Sequence, residues 1–131
     1  MDHALRQAIW DRATSRCEYC RIPQSGVDAT FHVEHIVAKQ HQGTDDESNR
    51  ALACDRCNLF KGPNLSSVDS STGEIVLLFH PRKNDWNDHF AKQGTLICGL
   101  TPQGRATVSL LQMNAPRRRE LREFLILLGE W

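Results

Sequence analysis

Two C-x-x-C pairs, Cys17-Glu18-Tyr19-Cys20 and Cys54-Asp55-Arg56-Cys57, constrain this chain more than any other feature. Two matched pairs in one intracellular domain are a tetrahedral zinc signature, because both thiolates of a pair can reach one ion. The expectation is one structural Zn²⁺ on Cys17, Cys20, Cys54 and Cys57. The gap between the pairs, residues 21–53, is longer than in a compact zinc ribbon. The ion therefore staples together the two ends of a hairpin-sized insert and replaces core that so short a segment lacks. The alternative is four buried cysteines without metal. The fifth cysteine, Cys98, lies in an apolar stretch and reads as a buried thiol.

The rest of the composition bounds the class. The 131 residues fit one domain, 1–131, with a modest core. No stretch approaches the roughly 18 apolar residues of a membrane span. The N-terminus lacks the apolar core of a secretory signal, so the expected location is the cytoplasm. Lys plus Arg and Asp plus Glu number 16 each. A nucleic-acid partner must then be held by a local patch rather than by global charge.

Local patterns predict a helix over 4–14 and a strand over Thr30–Val37. A loop over 38–48 and a second strand, Arg50–Ala53, follow. A short helix opens at Cys57 and stops near Gly62-Pro63. Residues 64–73 read as a Ser/Asp/Gly-rich loop, Glu74–Phe79 and Gly94–Leu100 as strands, and Trp86, His89 and Phe90 as a helical, core-packing set. Thr101 is the expected N-cap of a helix with Pro102 in its first position. Pro116 opens a last helix with Leu121, Phe124, Leu125 and Leu128 on one face.

Between and beside the cysteine pairs stand Glu34-His35-Ile36, Asn49-Arg50-Ala51-Leu52 and Cys57-Asn58-Leu59-Phe60-Lys61-Gly62. The order E-H-I, N-x-x-L, C-x-x-C-N-x-x-K-G resembles the HNH endonuclease family, in its four-cysteine, McrA-like branch. The diagnostic motifs cover residues 17–62, and the extension 63–131 resembles the tail of short bacterial HNH proteins. The resemblance implies an α+β fold: a ββα-metal (His-Me finger) core stapled by the zinc site, with a small C-terminal α/β extension. It implies a metal-dependent endonuclease that hydrolyses DNA phosphodiesters. One compact site, zero net charge and no separate recognition domain lead to the expectation of nicking with weak sequence preference, by a monomer or homodimer. The resemblance assigns His35 as base, Glu34 and Asn58 as ligands of a catalytic Mg²⁺ or Mn²⁺, and Asn49 as the residue that ties down the loop. Glu34 stands where the family more often has Asp.

Residue chemistry agrees. Histidine is the natural base near pH 7, and a carboxylate with an amide oxygen suits a hard cation with open positions. Adjacent strand residues point to opposite faces, so Glu34 and His35 can serve one phosphate only where the strand ends or bends. His32 reads as half-exposed or as a further ligand, and His41 as solvated. Lys61 is a candidate phosphate contact. Arg117, Arg118 and Arg119 occupy a first helical turn, where cations oppose the dipole at about 0.3 kcal/mol or more each. A solvated face or a nucleic-acid contact would account for them. The alternative function is a zinc-stapled nucleic-acid-binding module without cleavage.

Overall fold

The computed structural model describes all 131 residues. Helix α1, His3–Ala13, starts at Asp2, whose Oδ1 accepts from Leu5 N at 2.8 Å. Thr14 and Ser15 then take positive φ, which ends the helix and turns the chain into the first cysteine pair. Strands β1, His32–His35, and β2, Arg50–Ala53, pair antiparallel with His32 opposite Ala53 and His35 opposite Arg50. Helix α2, Asp55–Lys61, follows β2 directly and completes a ββα unit. Its N-cap is Cys54, whose Sγ accepts from Cys57 N at 3.4 Å. The fold is the expected α+β arrangement.

Beyond α2 come a hairpin of β3, Ser66–Val68, and β4, Ile75–Leu77, then α3, Trp86–His89. A second hairpin, β5, Phe90–Gln93, with β6, Leu96–Gly99, precedes α4, Pro102–Leu110, and α5, Pro116–Leu127. All three sheets are two-stranded. Such a ribbon is marginal alone, so packing must hold each one. The cores of the two halves are continuous: one buried cluster draws on Ile9, Tyr19, Phe31 and Leu52 and equally on Phe79, Phe90, Leu111 and Leu125. Phe79 meets Tyr19 and Phe90 edge-on, and Trp86 Nε1 donates to Tyr19 O at 2.7 Å. No helix is long and apolar enough to cross a membrane.

Several local expectations change. The stretch 64–73 contains β3, which pairs only because β4 supplies its partner. The first strand is shorter than Thr30–Val37, because Ile36 and Val37 leave the ladder to bond Asn49. Phe90 ends the helical set and begins β5. Cys98 is half-exposed, and its thiol contacts Gln93 Oε1 at 3.4 Å. On α5, Leu125 is buried and Leu121 half-buried, but Phe124 and Leu128 face solvent. The buried stripe is completed by Arg122 instead.

A polar contact joins the β3–β4 hairpin to α4. Asp69 is fully buried, and Arg105 grips its two oxygens from Nε at 2.8 Å and from Nη2 at 2.9 Å. The same carboxylate accepts from Ser71 N and Thr72 Oγ1. The Arg105 hydrogen bonds hold the Asp69 carboxyl well below the usual carboxylate range, against the opposing effect of burial. A depressed folded pKa gives stability that is present above the unfolded value and is lost as pH falls. Asp69→Asn should therefore lower Tm at pH 7. The gap to wild type should close as pH drops below about 4, where the unfolded wild-type chain takes up a proton that the folded carboxylate does not. A gap that stays constant from pH 7 to pH 3 would remove the ion pair from the explanation.

Candidate active site and metal centre

The two cysteine pairs converge. The ligand atoms of Cys17, Cys20, Cys54 and Cys57 all lie within 4.8 Å of one another, and all four residues are buried. Cys20 Sγ and Cys54 Sγ are 3.8 Å apart. That is far longer than a disulfide, at about 2.05 Å. It matches the edge of a tetrahedron with zinc–sulfur bonds of about 2.3 Å, which is about 3.8 Å. The geometry has local causes. Arg21, at positive φ, donates its N–H to Cys17 O, and Cys17 N donates to Ile22 O, so the first pair sits on a tight knuckle. The second pair sits on the β2-to-α2 turn. An all-sulfur, buried donor set fits a structural zinc.

A tetrathiolate site carries negative charge that burial makes costly, and cations surround it. Arg122 is fully buried and forms no ion pair with a carboxylate. Its Nη atoms donate to Met113 O, Thr95 O and Asn114 Oδ1, while Nε has no partner. Burial lowers its pKa, and the thiolates of Cys20, Cys57 and Cys54 push it back up. Arg56 and Arg118 line a small void beside the same cysteines. The arginine run at the start of α5 therefore divides. Arg118 is half-buried near the cluster, Arg119 Nε donates to Thr95 Oγ1 at 3.1 Å, and Arg117 is exposed. Arg117 and Arg119 lie on the exposed face expected from sequence, and Arg118 is turned partly inward.

A separate, open cleft is lined by Glu34, His35 and Asn58, together with Lys39 and Gly62. The two adjacent strand residues reach it because His35 is the last paired residue of β1. The chain is then bent by Asn49. Asn49 Oδ1 accepts from Val37 N at 2.9 Å, and Nδ2 donates to Val37 O at 3.0 Å and to Thr44 O at 2.8 Å. Gly43 completes the bend: a Cβ there would lie 1.7 Å from Val37 O.

Glu34 is buried, and its Oε1 has no hydrogen-bond partner. Burial raises its pKa to about 7, although the Lys61 ammonium and the Tyr19 hydroxyl favour the charged form. Neither Tyr19 Oη nor Glu34 Oε1 makes a well-formed hydrogen bond, so their influence on each other is one of proximity. The Asn58 side chain is half-buried and engaged by nothing. Glu34 and Asn58 both line the cleft, and a carboxylate together with an unengaged carboxamide fits a hard divalent cation. His35 Nε2 lies 2.8 Å from Asp45 Oδ1. An ionised carboxylate can only accept, so Nε2 carries the proton and Nδ1 is left as the acceptor. The His35 contact is the main reason the Asp45 carboxyl is held below its ordinary range, with Lys39 adding to it.

Lys61 differs from its expected role. It is buried, and Nζ donates to Ile36 O at 2.7 Å, which fixes the backbone behind the cleft rather than offering a cation to phosphate. His32 is exposed, 3.4 Å from Asp55 Oδ1. Sequence reasoning missed Asp45, one of three acidic residues in a row, and Tyr19, which stands inside the knuckle. The spacing of Asp45 from His35 is set by the loop and carries no periodic signal.

A protein-family model described as HNH endonuclease matches residues 17–64. No curated protein and no solved structure matches the chain. The matched segment contains both cysteine pairs and every residue of the cleft.

The metal centre leads to a chelator-competition experiment on purified protein. Wild type should hold about one zinc per chain, and Cys54→Ser should lose it with a lower Tm. Arg122→Met keeps volume and removes charge; it should weaken zinc by about 10- to 100-fold. Cys98→Ser should leave zinc content unchanged. Undiminished zinc affinity in Arg122→Met would show that the buried guanidinium serves only the backbone carbonyls it touches.

Proposed function

We propose that the chain is a metal-dependent endonuclease that hydrolyses DNA phosphodiester bonds, with Glu34, His35 and Asn58 as its reacting site. The observation that carries this is their convergence on one open cleft, with Glu34 Oε1 unpartnered and His35 held by Asp45. The match of residues 17–64 to the HNH endonuclease model supports it.

Glu34 and Asn58 would hold a Mg²⁺ or Mn²⁺ ion, which when bound supplies positive charge for the phosphate and the leaving oxygen. His35 Nδ1 takes a proton from the attacking water. Asp45 stabilises the imidazolium that forms and keeps the ring in the accepting tautomer. Asn49 acts through the loop: its three hydrogen bonds to Val37 and Thr44 hold the strand end in the bend that brings Glu34 and His35 together. Lys61 acts through Ile36 O in the same way and balances the Glu34 charge. The cysteine cluster stays structural. A single cleft of this size holds one phosphate, so the expected product is a nick with weak sequence preference. The four-cysteine arrangement is consistent with the McrA-like branch.

Supercoiled-plasmid digestion tests the reading. Nicking should require Mg²⁺ or Mn²⁺ and pass through an open-circle form before any linear DNA. His35→Ala should slow it by about 10²- to 10⁴-fold while zinc content and Tm stay at wild-type values. Extra Mn²⁺ should partly rescue Asn58→Ala and leave His35→Ala unrescued. Retained nicking in His35→Ala would sink the mechanism. DNA binding without any nicking would leave the zinc-stapled binding module as the better account.

A further inference from the structure

The catalytic cleft has a neighbour built on the same backbone. A second cavity, of about 300 Å³, begins at Ile36 and Val37, which follow His35 directly. Lys61 and Asn64 line it as well, and these flank the Gly62 and Pro63 that line the first cleft. Its other walls come from the C-terminal half, through β4, the loop after it and α4. The extension 63–131 therefore reaches the proposed site through this cavity.

The lining has two parts. Leu65, Leu77, Leu78 and Phe79 give apolar surface. Four of the polar side chains, Asn64, His80, Asn84 and Gln103, are each anchored at one end by the protein's own backbone, and the anchored end limits what the other offers. Asn64 Nδ2 donates to Lys61 O at 2.9 Å, which leaves Oδ1 as an acceptor. Gln103 Nε2 donates to Leu78 O at 3.4 Å, which leaves Oε1 as an acceptor. Asn84 Oδ1 accepts from His80 N at 2.9 Å, which leaves Nδ2 as a donor. His80 Nδ1 accepts from Arg82 N at 3.1 Å and Lys83 N at 3.3 Å, so the proton of its neutral ring sits on Nε2, a second donor. Burial, and then Lys83, lower the His80 pKa and favour that neutral ring.

Two fixed acceptors and two fixed donors over apolar walls match a flat heterocycle with donors and acceptors on its edge. No carboxylate lines the cavity, while Lys83 does, which suits a ligand attached to phosphate. The volume lies at the small end of ligand sites, too small for a helix or a strand. We propose that this cavity receives one unpaired nucleobase of the DNA strand whose phosphate occupies the adjacent cleft. The proposal rests on the nuclease reading for its substrate. It locates the base preference of an otherwise weakly selective enzyme at a single nucleotide beside the cut.

The probe is a set of short duplexes carrying 2-aminopurine at each position in turn, bound to zinc-loaded His35→Ala protein. Fluorescence should rise at one position as that base leaves the stack. Leu77→Asp, a change at an exposed edge residue, should abolish the rise. Asn84→Asp keeps the oxygen that caps His80 N and replaces the free donor, so it should weaken duplex binding by about tenfold, as for one lost hydrogen-bonded contact. In parallel, the Asn84 side-chain amide signals should shift on titration with deoxynucleoside monophosphates and stay still with inorganic phosphate. The proposal is overturned by the absence of any fluorescence rise, or by a rise that both variants keep. Shifts with inorganic phosphate alone, or free nucleotides binding while no duplex base unstacks, overturn it as well. Plasmid nicking by wild type judges the nuclease reading separately: a fluorescence rise without nicking rejects that reading and keeps the base site, and nicking without a rise does the reverse.

Discussion

The convergence of four thiols is the contact on which the remaining structure depends. It closes a loop from Cys20 to Cys54 whose own sheet has only two strands, and a ribbon that short does not fold alone. Closing it aligns the knuckle with β2. Glu18 N donates to Leu52 O, and Glu18 Oε2 accepts from Leu52 N, both at 2.8 Å. The next residue, Tyr19, places its hydroxyl beside Glu34 and its carbonyl under Trp86. The staple thus sets the entry to the cleft on one side and the seat of the C-terminal half on the other.

The buried cluster also makes demands on that half. Concentrated thiolate charge in a dry interior needs compensation, and the nearest fully buried cation is Arg122 on α5. A guanidinium in a helix stripe that otherwise packs Leu125 is costly without a counter-charge. The cluster provides one, and the carbonyls of Met113 and Thr95 satisfy most of its donors. The cysteine cluster and the seat of α5 thereby meet at Arg122, although Cys57 and Arg122 lie far apart in the chain.

The cleft follows a different rule. Its side chains come from three different settings: His35 at the last rung of β1, Asn58 midway along the short α2, and Asp45 in the loop between the strands. Asn49 converts the strand end into a bend by capturing both polar groups of Val37. Lys61, the one cation buried behind the site, holds Ile36 O and offsets the Glu34 charge.

Much of this was legible in the chain itself. Paired cysteine spacing determined the cluster, since a metal set of that kind is encoded by residue type and local turn. Helix α1, strand β2 and the Thr101-Pro102 start of α4 are local patterns that the fold keeps, because capping and periodicity need no distant partner. Four features were decided only in three dimensions. Strand β3 exists because β4 lies beside it. The hydrophobic stripe read along α5 is half exposed, since Arg122 takes a buried position for a charge located on distant cysteines. Lys61 turns inward because a carbonyl and a carboxylate wait there. Asp45 reaches His35 through a loop whose path is set by Gly43 and Asn49. A sequence pattern records what a residue does for its neighbours in the chain, whereas burial of charge is settled by partners that only folding brings within a few ångströms.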